Sequence, residues 1–105
     1  MNQITNNLWI SDIKSVREES TQRFDRVITV CQDSVEDNVG CSYDFFNMSD
    51  GPGNSYGGDC SYGLFHEAAI TLLGALTYGE TVLIHCHMGQ SRSVSVASAV
   101  LAVVN

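Results

Sequence analysis

Apolar and β-branched residues gather in short runs along the chain, separated by polar stretches. Residues 27–31 (VITVC) and 81–84 (TVLI) are apolar on both faces of an extended chain, which predicts strands buried inside a parallel sheet. The run LWI at 8–10 is shorter and predicts an edge strand. Residues 43–48 (YDFFNM) are rich in aromatics and predict a further strand. Between these, Ser15-Val16-Arg17-Glu18 has a capping-box pattern and predicts a short helix running towards Phe24. The polar stretch 32–40 reads as a loop or partial helix. Tyr62, Phe65, Ala69, Leu72, Leu73 and Leu76 fall on one helical stripe, with Ser61 as N-cap and Gly79 just past the end. Residues 93–105 are apolar nearly all round and predict a buried helix. Strands alternating with helices predict an α/β domain, a mostly parallel central sheet flanked by helices.

Composition narrows this picture. A length of 105 residues suits one domain, 1–105, with one core. Apolar residues make up 44% and charged residues 16%, a globular balance. The formal charge is −7, with Lys14, Arg17, Arg23, Arg26 and Arg92 the only Lys and Arg. Such a surface repels nucleic acid and anionic membranes, so neither is expected as a partner. The N-terminal MNQITNNLWI lacks the basic and apolar regions of a signal peptide, and the longest apolar run, 99–104, is too short to span a bilayer. A cytoplasmic location is expected, with Cys31, Cys41, Cys60 and Cys86 as thiols. There is no C-x-x-C pair, so a zinc site is not indicated.

One segment carries chemistry. The strand at 81–84 runs directly into HCHMGQSRS, in which Cys86 and Arg92 are separated by 5 residues. That spacing alone is a weak signal, and its context strengthens it. A buried strand brings Cys86 to the carboxyl end of the sheet, where open α/β folds bind ligands. The helix beyond begins on the far side of the loop, so its dipole and free amides face the same point. Gly89 permits the sharp turn that directs successive N–H groups inward. The outcome is a cradle for a tetrahedral dianion with a thiol at its base, in which His87, Met88, Gly89, Gln90, Ser91 and Arg92 bind the substrate. Amides and a guanidinium hold Cys86 as the thiolate nucleophile. Arg92 grips two phosphate oxygens with its planar fork. Ser93 follows on the first helical turn, where its hydroxyl can donate to the sulfur.

HCHMGQSRS resembles the H-C-x-x-G-x-S-R-S signature of the dual-specificity phosphatases, within the protein tyrosine phosphatase group. The likeness extends to ITNNLWISD, to the strand at 27–31 and to the stripe before the signature. It implies a protein tyrosine phosphatase-like fold, a phosphocysteine intermediate and no metal or cofactor. It also implies an aspartic general acid on an upstream loop. YDFFNMSD ends at Asp50, and DGPGNSYGGDCS at 50–61 has the make-up of a surface loop, so Asp50 is the candidate acid. Asp59 is the rival, and Asp44 lies within a strand. His85 matches the family's histidine and is expected to be buried and hydrogen-bonded in support of the nucleophile. His87 is expected at the pocket mouth, and His66 on the surface or in packing.

The implied reaction is hydrolysis of phosphotyrosine, phosphoserine or phosphothreonine in a phosphorylated protein. The loop lacks the Lys residues of phosphoinositide-directed relatives. A non-protein phosphate ester and a non-enzymatic phosphate-binding module are the alternatives. His85-x-His87 as a metal pair is a further one, although the folds that use such pairs run to about 250 residues. The resemblance also implies further helices beyond the one that follows the signature, so C-terminal helices are expected to be missing. An apolar face on 93–105 would then mark a surface for self-association or for a partner chain.

Overall fold

The structure, a computed structural model, describes the backbone of residues 1–48, 57–87 and 92–104. It is a small α/β domain with a mixed sheet of 5 strands in the order β1-β2-β5-β3-β4. The strands are β1 Asn2–Thr5, β2 Leu8–Ser11, β3 Arg26–Thr29, β4 Ser42–Phe45 and β5 Val82–His85, and the helices are α1 Ile13–Glu18, α2 Gly57–Thr77 and α3 Arg92–Val104. β1 and β2 are antiparallel, whereas β2, β5, β3 and β4 all run parallel. Every residue of β5 is buried, and so are Val27, Ile28 and Thr29 of β3, as the unbroken apolar runs required.

The run at 8–10 is not an edge strand. β1 lies outside it, pairing Gln3 with Trp9 and Asn2 with Ile10. β1 is mostly exposed, so its sequence NQIT carries no buried face to announce it. The first helix also begins earlier than its capping box suggested. Asp12 is the N-cap, its Oδ1 accepting from Ser15 N at 2.8 Å, and the helix stops at Glu18 well short of Phe24. That hydrogen bond draws the Asp12 carboxyl below its usual range. The polar stretch after β3 holds a single 3-10 turn at Glu36–Asn38.

α2 and α3 pack against each other and over the sheet, α2 on β3 and β5, α3 on β5 and β2. α2 begins at Gly57, so Ser61 lies inside the helix and is not its N-cap. Among its described side chains, Ala68, Leu72 and Ala75 are buried. Phe65, Ala69 and Leu73 from the expected stripe sit on its flank, where with Ala99, Val100 and Val103 they line an apolar groove of about 360 Å³. α3 is buried on one side only, through Ser93, Val96, Ala97 and Val100, and it exposes Val94 and Val103. Among the described residues, no helix is long and apolar enough to cross a membrane.

Charge joins the amino ends of β3 and β5 to β4. Arg26 donates to Asp44 at 2.6 Å and to Glu80 at 2.7 Å, which raises the guanidinium's proton affinity. Asp25 Oδ2 accepts from Thr81 N at 2.7 Å beside them. Near the chain start, Trp9 meets the edge of Phe24 at 5.9 Å, and Arg23 lies over the Trp9 ring at 4.5 Å.

Gly79 closes α2 as its position in the sequence suggested. Its φ is +81°, Gly79 N reaches Leu76 O at 3.0 Å and Glu80 N reaches Ala75 O at 3.0 Å, the paired bonds of a Schellman end. A Cβ added there would meet nothing within 4 Å, so Gly79→Ala should cost only backbone strain, about 1–2 kcal/mol. Urea unfolding of the variant measures this, and an unchanged midpoint would show that the turn tolerates a side chain.

Candidate active site

Cys86 follows β5 directly, and α3 begins with Arg92 and Ser93. Because β5 pairs with β2 on one edge and β3 on the other, its end is fixed in the middle of the sheet. Cys86 is 1% exposed, and its Sγ lies 3.3 Å from the Ser93 hydroxyl. Ser93 is in the first turn of α3, so the sulfur sits at the positive end of the helix dipole. Arg92 Nη1 donates to the backbone oxygen of Met48, which ties the start of α3 to the chain just ahead of Asp50. The structure thus brings Cys86 and Ser93 into contact. Asp50, Met88, Gly89, Gln90 and Ser91 lie outside the described residues. Asp59 falls in the first turn of α2, and its side chain too is outside them. Asp44 is engaged by Arg26, at the start of β3.

The carbonyl oxygens of His85, Cys86 and His87, which would repel an anion, are taken up by the fold. His85 O accepts from Val30 N at 3.0 Å, and His87 O accepts from Ile13 N, at the start of α1, at 3.2 Å. Cys86 O accepts from His85 Nδ1 at 3.2 Å. Holding these dipoles in hydrogen bonds turns the carbonyl edge of the segment towards protein.

His85 is fully buried, as its sequence context implied. Its other ring nitrogen, Nε2, meets Thr29 Oγ1 at 2.6 Å. Both nitrogens are therefore engaged within the protein, which speaks against a metal pair with His87. Burial lowers the His85 pKa to about 4, so the ring is neutral at pH 7. His87 is exposed, and its Nε2 sits 2.5 Å from Asp33 Oδ2. His66 is exposed on α2.

Cys31, at the end of the neighbouring strand, marks a contrast. Burial pushes its thiol up, the charge of Arg92 opposes that shift only in part, and its Sγ is turned to Asp33 O at 3.5 Å. Burial alone makes a thiol inert; nearby positive charge and helix amides make it reactive. Met48, Asp33, Thr29 and Tyr43 join the site without having been anticipated from sequence. Thr29 offered a signal, a hydroxyl in an otherwise apolar strand, which must find a partner when buried.

The chain matches no family model and no curated protein.

The state of His85 sets a pH dependence. An unfolded imidazole binds its proton near 6.5 and the buried one near 4, so between those values the unfolded chain holds more protons. The stability from a neutral His85 is therefore complete above about 6.5 and is lost as pH falls to 4, about 3 kcal/mol in all. Urea midpoints at pH 7 and pH 4.5 measure the slope. His85→Gln should remove that component, and an equal slope in the variant would assign the acid sensitivity to other groups.

Proposed function

We propose that the chain is a cysteine-dependent phosphomonoester hydrolase of the dual-specificity type, with a protein tyrosine phosphatase-like fold and a phosphorylated protein as substrate. The observation that carries this reading is Cys86, held at the end of the central strand within 3.3 Å of the Ser93 hydroxyl and beside the start of α3. The signature-like sequence HCHMGQSRS around it supports the reading, as do the parallel strands at its base.

In this mechanism the Cys86 thiolate attacks phosphorus and forms a P–S bond as the P–O bond to the leaving group breaks. Arg92 and the loop amides of 87–92 hold the equatorial oxygens, whose charge spreads in the transition state. Asp50 gives its proton to the leaving oxygen. Water then attacks phosphorus, Asp50 takes up the water's proton, and the P–S bond breaks to return thiolate. Ser93 donates a hydrogen bond to the sulfur as it departs. The reaction uses protein groups alone and needs no metal. The absence of Lys in MGQS favours a phosphoprotein over a polyanionic phosphoinositide.

Hydrolysis of a small aryl phosphate tests the reading, and it should persist in chelator. Cys86→Ser should lose more than about 1,000-fold in rate with its fold intact by circular dichroism. Arg92→Lys should lose about 10- to 100-fold, since one ammonium cannot replace the bidentate fork. Substantial turnover by Cys86→Ser would overturn the mechanism.

Asp50→Ala should slow poor leaving groups by about 100-fold or more and good ones, such as nitrophenolate, far less. A series of substituted aryl phosphates reads this directly. A uniform loss, or a larger one from Asp59→Ala, would assign the acid to another residue.

A further inference from the structure

A continuous line of hydrogen bonds runs across three strands to the backbone of Cys86. Val35 N meets Tyr43 Oη at 3.0 Å, Tyr43 Oη meets Thr29 Oγ1 at 2.7 Å, and Thr29 Oγ1 meets His85 Nε2 at 2.6 Å. His85 Nδ1 meets Cys86 O at 3.2 Å. Strand register explains the line. Thr29 is the partner of His85 across β3 and β5, and Phe45 is the partner of Thr29 across β4 and β3. Tyr43, two residues before Phe45, shares its face of the sheet and reaches along the strand to Thr29.

The direction of every bond is fixed by its ends. A carbonyl oxygen only accepts, so the proton of the neutral His85 ring lies on Nδ1. Nε2 is then a lone pair, and Thr29 must donate to it. With its proton spent, Thr29 can only accept from Tyr43. At the other end a backbone N–H only donates, so Val35 supplies the phenolic oxygen, and Ser34 Oγ lies 3.3 Å from that oxygen as well. All the donors therefore point towards Cys86, and aligned hydrogen bonds polarise one another.

We propose that Tyr43 and Thr29 are positioning residues for Cys86, acting through His85: they hold the ring in its Nδ1–H form and keep the Cys86 carbonyl drawn away from the reacting side. The proposal rests on Cys86 as the nucleophile. Without the Tyr43 hydroxyl, Thr29 is able to accept, and the Nε2–H form of His85 becomes available. That form turns a lone pair onto Cys86 O, so the carbonyl loses its anchor and the sulfur loses part of its stabilisation as thiolate. The titratable groups around this line are Cys31 and Asp33 after β3, Asp12 and Arg17 at α1, His87, and Arg92 on α3. The variants below leave all of them in place.

The test has two readouts that need no turnover. Nitrogen NMR of the His85 ring at pH 7 should show a protonated Nδ1 and an unprotonated Nε2 in the wild type. Averaging of the two signals is expected in Tyr43→Phe. Iodoacetamide alkylation of Cys86 against pH should move its midpoint up by about half to one unit in Tyr43→Phe and Thr29→Val. That is about three- to tenfold less thiolate at a fixed acidic pH. Thr29→Ser, which keeps the hydroxyl, should stay near the wild type. With an aryl phosphate, the acid limb of kcat/KM should shift by the same amount while KM at the optimum moves less than about twofold.

A wild-type ring protonated on Nε2 would overturn the proposal, and so would an unchanged alkylation midpoint in Tyr43→Phe. So would Thr29→Ser behaving like Thr29→Val, because packing rather than the hydroxyl would then matter. If alkylation and NMR behave as expected but no phosphate ester is hydrolysed, the hydrolase reading fails and the wiring stands.

Discussion

β5 has hydrogen-bonded neighbours on both edges and buried side chains on both faces, so its position is fixed in every direction except along its own axis. Its neighbours β2 and β3 both run parallel to it, which brings the carboxyl ends of the strands to one rim of the sheet. Ser11, His85 and Thr29 lie level there, and the residue one step beyond His85 is Cys86. α1 enters from β2 to hold His87 O, the chain after β3 supplies Val30 N to His85 O, and α3 brings Ser93 to the sulfur. Each of these contacts exists because the strand between them cannot move. The dipole of α3 and the backbone bonds then act on an atom whose location has already been decided.

The other ends of the strands have a different character. Arg26, Asp44 and Glu80 form a charged cluster there, with Asp25 bonded to the backbone of Thr81. These pairs are partly exposed, and each contributes about 1 kcal/mol or less. They tie the start of β3 to β4 and to the residues just ahead of β5. The sheet keeps its screened, forgiving electrostatics at one end and its buried, directional bonds at the other.

The parts of this arrangement that were legible in the sequence are those with a strong local signal. VITVC and TVLI announced buried strands, and Gly79 announced a helix end. Cys86, Arg92 and Ser93 stood out through their place between a strand and a helix. β1 was missed because an exposed two-sided strand has no periodic apolar face, and its loss made β2 look like an edge. Ser15 imitated an N-cap because Glu18 happened to stand three places on, while Asp12, which does the capping, lacked that partner. The stripe on α2 marked its side facing α3 as well as its side facing the sheet, since both bury apolar atoms. Thr29 offered only its hydroxyl as a signal, and its link to Tyr43 and His85 was out of reach because it comes from register across strands, which no single segment encodes.

Trp9 is the only tryptophan of the chain. It pairs with Leu83 in the middle of β5, stands edge-on to Phe24 and lies under the Arg23 guanidinium. Its indole therefore senses, in a single optical signal, the union of the hairpin β1–β2 with the strand that leads into Cys86. Trp9 lies three residues before Asp12, the N-cap of α1. Emission from this one ring can thus follow the assembly of the sheet. The protein carries its own fluorophore at a joint of the scaffold.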